Sequence, residues 1–448
     1  MKPVYKYLLL IVGFAPLSLM AQWQPKIGHL RPYDKTGINK FEDQKSDSVK
    51  WDGLKVKFGA GFTQQFQSLK VENPGAANSG TTNHLRPVTP GFQTAMANLY
   101  MDVQLADGIR LNVTSYMSSK HHNENWVKGG YIQFDKLPFK GKIWDDIMSV
   151  TTVKIGHFEI NYGDEHFRRT DGGQAIYNPF MEGNIMDEFA TEIGGEVYVQ
   201  KNGLFGMMGV TNGMIKGYVD SATQGIVNGE VVDANTARNP SVYFKGGFDR
   251  QLSENLRVRL SGSYYHNSSS GGSGLTLFGG DRTGSNYQNV MELASTPPNS
   301  ATGAGSAIAF SGRFNPSFSK KVDAVMLNGF LKAGGFEFFG TYETASGRTK
   351  TEKTSRTVNQ YAVDGVYRFG KSENLFIGLR YNSVNAEIAN ITNKVTIDRI
   401  AAAAGWFLTK NVLLKAEYVD QHYRDFPVSD YRSTGRFHGY VVEAVVGF

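Results

Sequence analysis

Hydrophobic and polar residues alternate along most of this chain. From Asn98 onward, Leu99, Met101, Val103 and Leu105 share one face, and Tyr100, Asp102 and Gln104 share the other. After Asp107-Gly108 the pattern resumes, with Ile109, Leu111 and Val113 set against Arg110, Asn112 and Thr114. Val258 and Leu260 alternate with Arg257, Arg259 and Ser261, and Leu375, Ile377, Leu379 and Tyr381 with Phe376, Gly378, Arg380 and Asn382. A period of two marks a strand with two unlike faces. A β-sandwich alternates too, but its apolar face must meet a second sheet. Here the segments recur along the whole chain with no helical-period sequence between them. Strands are expected at 55–69, 94–105, 109–120, 126–136, 151–162, 189–201, 204–212 and 240–251. The second half adds 255–267, 322–333, 335–346, 357–369, 374–386, 394–407, 411–423 and 434–448. The expected fold is all-β: a transmembrane antiparallel β-barrel of about 16 strands, the even number found in single-chain bacterial barrels.

The connections alternate in length as well. Short turns fall at Asp107-Gly108, Asn202-Gly203, Ser253-Glu254, Gly334-Gly335, Lys371-Ser372-Glu373 and Thr409-Lys410. Asn-Gly and Asp-Gly suit tight hairpins because both residues tolerate positive φ. Longer links lie between them, at 70–93, 163–188, 213–239, 268–321, 347–356 and 424–433. Links 121–125 and 387–393 are shorter than the scheme wants, and 137–150 is long for a turn. The parity fits periplasmic turns and outer loops, with both termini in the periplasm. Residues 268–320 are rich in Gly, Ser and Asn and read as a long, mobile outer loop. Link 163–188 differs: Phe167, Ile176, Tyr177, Phe180, Met181, Ile185 and Met186 need something to pack against. Inside a wide barrel that place is the lumen wall.

The ends and the composition complete this picture. Residues 1–21 read as a signal peptide, with Lys2 and Lys6 before the apolar run Leu8 to Leu19 and the small residue Ala21 before Gln22. Residues 22–50 are polar and lack periodicity, so they read as a periplasmic N-terminal arm. Residues 51–448 are the barrel. No later apolar stretch is long enough for a spanning helix. The chain has no cysteine, which rules out disulfides and thiolate metal sites. Its 51 Gly, 22 Tyr and 29 Phe suit turns, strands and membrane interfaces. A mean hydropathy of −0.33 fits strands with only one face in lipid. The formal charge of +6 is small and implies at most a mild preference for anions.

The segment Val153-Lys-Ile-Gly-His-Phe-Glu-Ile-Asn-Tyr-Gly-Asp-Glu165 carries a resemblance. It resembles a strand of the Gram-negative porin O/P-like (phosphate-selective porin) family, G-x-F-x-x-x-[FY]-G-x-E, at Gly156, Phe158, Tyr162, Gly163 and Glu165. In that family the strand leads into an inward-folding third loop. Terminal Phe448 resembles the aromatic C-terminal signal read by the barrel-assembly machinery. The resemblance implies a 16-stranded, homotrimeric, passive channel in the outer membrane. Phosphate selectivity does not carry over. The family's arginine ladder and lysine cluster are replaced here by Arg168 and Arg169 among Asp164, Glu165, Asp171, Glu182, Asp187 and Glu188.

Two sets of residues are therefore candidates. Glu165, Arg168, Arg169 and Asp171 are placed at a pore constriction, where opposed charges would set a transverse field; the plainer reading is that they pin the loop to the wall. Arg110, Lys245, Arg257, Arg259 and Arg380 are placed on the pore wall. They face Asp102, Asp249, Glu337, Glu343 and Glu443, so a compensated, hydrated lumen is the plainer reading. His121-His122 with Glu124 lacks the defined ligand set of a metal site. No G-x-S-x-G elbow or phosphate loop occurs, and no cofactor, catalytic residue or nucleic-acid partner is expected. Tyr264, Tyr342, Tyr381, Trp406, Tyr418, Tyr440 and Phe448 are expected at strand ends or on the lipid face. The function read from all this is passive diffusion of small hydrophilic solutes or ions across the outer membrane. The alternatives are a structural or secretion-system barrel and, behind it, an outer-membrane hydrolase.

Overall fold

The computed structural model describes residues 24–46, 49–77, 83–93, 95–118, 124–169, 174–213, 224–227, 230–233, 238–270, 277–280, 283–295 and 311–448. The segment read as a signal peptide, Asp171 and the His121-His122 pair lie outside them. Sixteen strands form the barrel. The first eight are β1 (Lys55–Glu72), β2 (Met96–Ala106), β3 (Ile109–Ser118), β4 (Glu124–Phe134), β5 (Thr151–Glu159), β6 (Thr191–Lys201), β7 (Leu204–Thr211) and β8 (Ser241–Ser253). The rest are β9 (Leu256–Asn267), β10 (Lys321–Ala333), β11 (Phe336–Arg348), β12 (Arg356–Phe369), β13 (Leu375–Ala386), β14 (Val395–Thr409), β15 (Val412–Arg424) and β16 (Arg436–Gly447).

Every strand pairs antiparallel with its neighbours in sequence, and β1 closes the ring. Gly61 pairs with Asn98 of β2 on one side and with Gly447 of β16 on the other. Closure leaves no unpaired strand edge, which a lipid environment would penalise heavily. Among the described residues no helix is long and apolar enough to cross a membrane.

The turn chemistry behaves as its residues dictate. Asn202 and Gly203 both take positive φ, as do Gly108 and Gly334. The long turn 137–150 holds a short helix, Lys142–Met148. A two-stranded hairpin, Gln224–Val227 with Glu230–Asp233, sits in the link after β7. A two-residue piece, Gly91–Phe92, pairs with β1 beside the start of β2.

The two faces of the wall separate cleanly. On β14, Ile400, Ala402, Ala404, Trp406 and Leu408 point out, while Arg399, Ala401, Ala403 and Phe407 are buried inside. Those five outward positions span eight residue steps, about 26 Å along a strand and roughly 20 Å across a bilayer at the usual tilt. Tyr264, Tyr361, Tyr381, Tyr418 and Tyr440 ring the loop-side edge of this band, half exposed. Trp406, Phe369 and Phe448 mark the opposite edge. Beyond the loop-side ring, Asp323 and Asp398 accept hydrogen bonds from the Tyr264 and Tyr381 hydroxyls at 3.0 and 3.1 Å.

The core lies inside the barrel and fills one side of it. Inward Tyr243, Tyr265, Met326, Val358, Val384, Ile397, Val419 and Phe437, from β8 to β16, form one apolar cluster with residues from two links. Ile160, Tyr162, Met181, Ile185 and Met186 come from the link after β5; Leu277, Phe278, Tyr287, Val290, Met291, Phe314 and Phe318 come from the link after β9. The reading of 268–320 as a mobile outer loop needs correcting for its described residues. Composition weighed the Gly and Ser and missed apolar side chains spaced without period, which are buried against the wall at about 1.5–3 kcal/mol each.

Candidate functional site

The motif strand β5 runs into a segment held by wall side chains. Gly163 has φ +69, and a Cβ there would overlap Met326 Sδ, so only glycine fits the turn after Tyr162. The Tyr162 hydroxyl donates to Glu343 at 2.9 Å, Gly163 N to Ser263 at 3.0 Å, and Asp164 N to Asn328 at 2.9 Å. Further along, the main-chain N–H groups of Met181, Ile185 and Met186 donate to Glu417, Asn382 and Gln360. Three cations take its carbonyls. Arg380 donates to Glu182 O, Arg399 to Gly183 O, and Lys415 to the carbonyls of Ala175, Asn178 and Phe180. A buried irregular segment needs partners for its backbone, and here the inward face of β9 to β15 supplies them.

The candidate constriction residues anchor this segment. Arg168 is 1% exposed; it donates to Asn39 at 2.8 Å, lies 3.9 Å from Glu337 and sits over the Phe339 ring at 4.8 Å. Arg169 meets Glu159 at 2.6 Å and Asp187 at 3.5 Å, over the Phe189 ring. Glu165 accepts from Asn184 at 2.8 Å. Burial pushes the Glu165 carboxyl above its usual range and the Arg168 guanidinium below its own. Asp164 is the opposite case. Burial alone would raise it, but Lys245 and Arg259 beside it hold it well below the usual carboxylate range.

The candidate wall cations are buried or half-buried and paired. Arg110 meets Asp43 at 2.8 Å and Asp135 at 3.5 Å. Lys245 meets Asp164 at 2.7 Å and Glu42 at 3.0 Å. Arg259 meets Glu42 and Asp164, each at 2.7 Å. Arg257 pairs with Asp249, and Arg380 with Asp364, each at 2.6 Å. Partners from the N-terminal segment were not foreseen: Glu42 and Asp43 belong to the stretch read as a periplasmic arm, and they sit among these wall cations.

The open space lies elsewhere. A cavity of about 240 Å³ runs along the inward face of β2 to β6. Its wall carries Asn112, Thr114, Lys128, Tyr131, Gln133, Lys154, His157, Phe158 and Tyr198; the arm and the segment after β5 close its other side with Arg31, Tyr33, His166 and Tyr177. Arg168, Arg169 and Arg380 do not line it. Lys154 lies 4.2 Å from the centre of the Phe158 ring and 3.4 Å from Glu196. Burial and the Lys245 charge push His166 well below its ordinary value, so it is neutral beside the cavity. Lys128, Lys154 and His157 were missed as candidates. For Lys154 the signal was present, since it alternates with outward Val153 and Ile155 within the motif itself.

No family model and no curated protein sequence matches the chain. Solved structures do. An anion-selective porin from Comamonas acidovorans superposes with a TM-score of 0.51 at 10% identity, covering 88% of this chain and 100% of that one. Outer-membrane expressed OmpT of Vibrio cholerae gives 0.49 at 11% identity over 89% and 99%. The outer-membrane channel DcaP of Acinetobacter baumannii gives 0.48 at 11% over 88% and 98%. The chain therefore has the fold of an outer-membrane porin: a closed, antiparallel barrel of sixteen strands.

Proposed function

We propose that this protein is an outer-membrane porin that lets small hydrophilic solutes or ions diffuse passively through its lumen. The observation that carries the reading is the lumen itself: one side is filled by packed links, and a polar, aromatic-edged cavity remains along β2 to β6. Such a passage needs no bond chemistry. Its selectivity comes from width and from the groups on its wall. The likeness to a porin described as anion-selective supports a mild preference for anions, while the wall sets Lys128, Lys154 and Arg31 against Glu42, Asp43 and Glu159.

The segment between β5 and β6 serves in this reading as the inward-folded third loop. It narrows the lumen and leaves the cavity as the path. Arg168, Arg169 and Glu165 act as its anchors, and Asp171 belongs to the same loop. Residues 1–21 act as the export signal. Phe448 offers the assembly machinery its aromatic end, and a homotrimer is the assembly proposed. The test is electrical. Purified, folded protein in planar bilayers is expected to give open, ohmic steps, and folded protein that inserts and stays silent at every voltage overturns the reading.

A further inference from the structure

The described part of the N-terminal arm does not hang free of the barrel. Residues 27–45 cross the turn-side mouth and reach the lumen wall. Tyr33 stacks on Tyr100 of β2 at 3.8 Å and donates to Asp102 at 2.9 Å. Phe41 packs edge-on against Phe330 and Phe167. Glu42 and Asp43 make the ion pairs with Lys245, Arg259 and Arg110 described above, and the Lys45 ammonium donates to the Asp135 and Thr151 carbonyls.

Two features set the arm apart from the wall. First, it is held by side chains. Among the described residues, the main-chain hydrogen bond from the arm to the barrel is Lys35 N to Lys410 O, whereas each strand shares a full ladder with its neighbours. Removing the arm would break ion pairs and ring contacts and leave the sheet intact. Second, the barrel carries a notch for it. A Cβ on Gly59 would stand 2.5 Å from Tyr33 Cδ2, and one on Gly447 would run into Tyr33 O. Strand interiors disfavour glycine, so the close approach of the Tyr33 ring accounts for Gly59 and that of the Tyr33 main chain for Gly447.

The arm is also a partition. It lines the inner cavity through His29, Arg31 and Tyr33. It lines a space of about 670 Å³ at the turn-side mouth through Ile27 and Lys45, and a second of about 470 Å³ through Glu42 and Gln44. His29 forms a wall of both the inner cavity and the larger mouth space, and Glu42 a wall of the inner cavity and the smaller one.

We propose that the turn-side lumen wall is a docking surface for the chain's own arm, residues 27–45, and that the arm is a displaceable gate whose withdrawal joins the inner cavity to the mouth. The proposal rests on reading the lumen as a solute passage. The Glu42 pairs are buried and little screened, so ionic strength acts on the gate chiefly through the partly exposed Asp43–Arg110 pair, where higher salt favours release.

The experiment compares single-channel conductance of the full chain with that of a variant lacking residues 24–46, both refolded and both checked for the heat-modifiable mobility of a closed barrel. The gate predicts a severalfold larger conductance for the deletion. Equal, nonzero conductance in both overturns the gate and leaves the porin reading standing. Silence in both overturns the two together. Gly447→Ala, which changes no charge and keeps the arm, is the second variant: it unseats Tyr33 and is expected to raise open probability in the same direction. A folded Gly447→Ala barrel that gates like the parent also counts against the proposal.

Discussion

Arg259 of β9 and Asp164 of the segment after β5 form a two-point pair, with Nε and Nη2 of the guanidinium at 2.8 and 2.7 Å from the two carboxylate oxygens. Ser261 and Lys245 donate to the same carboxylate. The pair fixes the start of the loop to the wall by geometry as well as by charge.

Removing Arg259 leaves two buried carboxylates, Asp164 and Glu42, sharing the single cation Lys245. Arg259→Ala is expected to lose about 3–5 kcal/mol, while Arg259→Met with Asp164→Asn loses clearly less. Urea titration of the folded barrel in detergent or lipid measures both. Equal losses in the single and double variants would mean that the pair contributes only packing.

Selectivity should answer to the cavity wall more than to the loop arginines. At about 6 Å in water, reversing one lysine changes the energy of a passing anion by about 1.4 kcal/mol, roughly tenfold before salt screens it. Lys128→Glu with Lys154→Glu is therefore expected to move the reversal potential in a salt gradient toward cations. Arg168→Glu and Arg169→Glu, at buried ion-paired sites that do not line the cavity, should lower stability and move the potential less. The opposite ranking would place the path beside the loop arginines.

Glu188 gives the loop a pH dependence. Burial, then the facing Glu343 and the nearby Asp187 and Glu165, push its carboxyl well above 4.5. Gln360 donates to it at 2.9 Å. A raised folded-state value means that this seat contributes most below about 4.5 and loses its contribution as pH rises through the raised value. Glu188→Gln should therefore gain stability relative to the parent as pH rises. Unfolding midpoints of the two proteins across a pH series test this, and parallel curves refute it.

The outward band makes its own prediction. Leu379 is 58% exposed on the outer face of β13, within the apolar belt. Leu379→Arg should cost about 2–4 kcal/mol of folding into bilayers, whereas a polar exchange at Asp398, beyond the tyrosine ring, should cost far less. Equal costs would place that face outside the hydrocarbon.

The sequence disclosed the wall far better than its contents. Water on one face and lipid on the other force alternation, so Leu375 to Asn382 announces both its strand and its orientation. Arg110, Lys245, Arg259 and Arg380 were likewise readable as inward-facing from parity alone. Their partners were not. Arg259 and Glu42 are 217 positions apart and meet only because the arm enters the barrel. Link residues such as Tyr287 and Val290 follow no period, since an irregular segment matches a wall one side chain at a time. Lys154 was legible by parity, but its value depended on which side of the lumen stays open.

The one-sided filling of the lumen divides the inner wall into two evolutionary regimes. On β8 to β16, inward positions such as Met326, Val384 and Phe437 live under the rules of a protein interior, where adding or removing a methylene disturbs a fitted neighbour. On β2 to β6, positions such as Asn112 and Thr114 face the open cavity, where an exchanged side chain has room. A lineage could retune what passes by altering one arc of the ring and leave the other arc, with the architecture it secures, untouched.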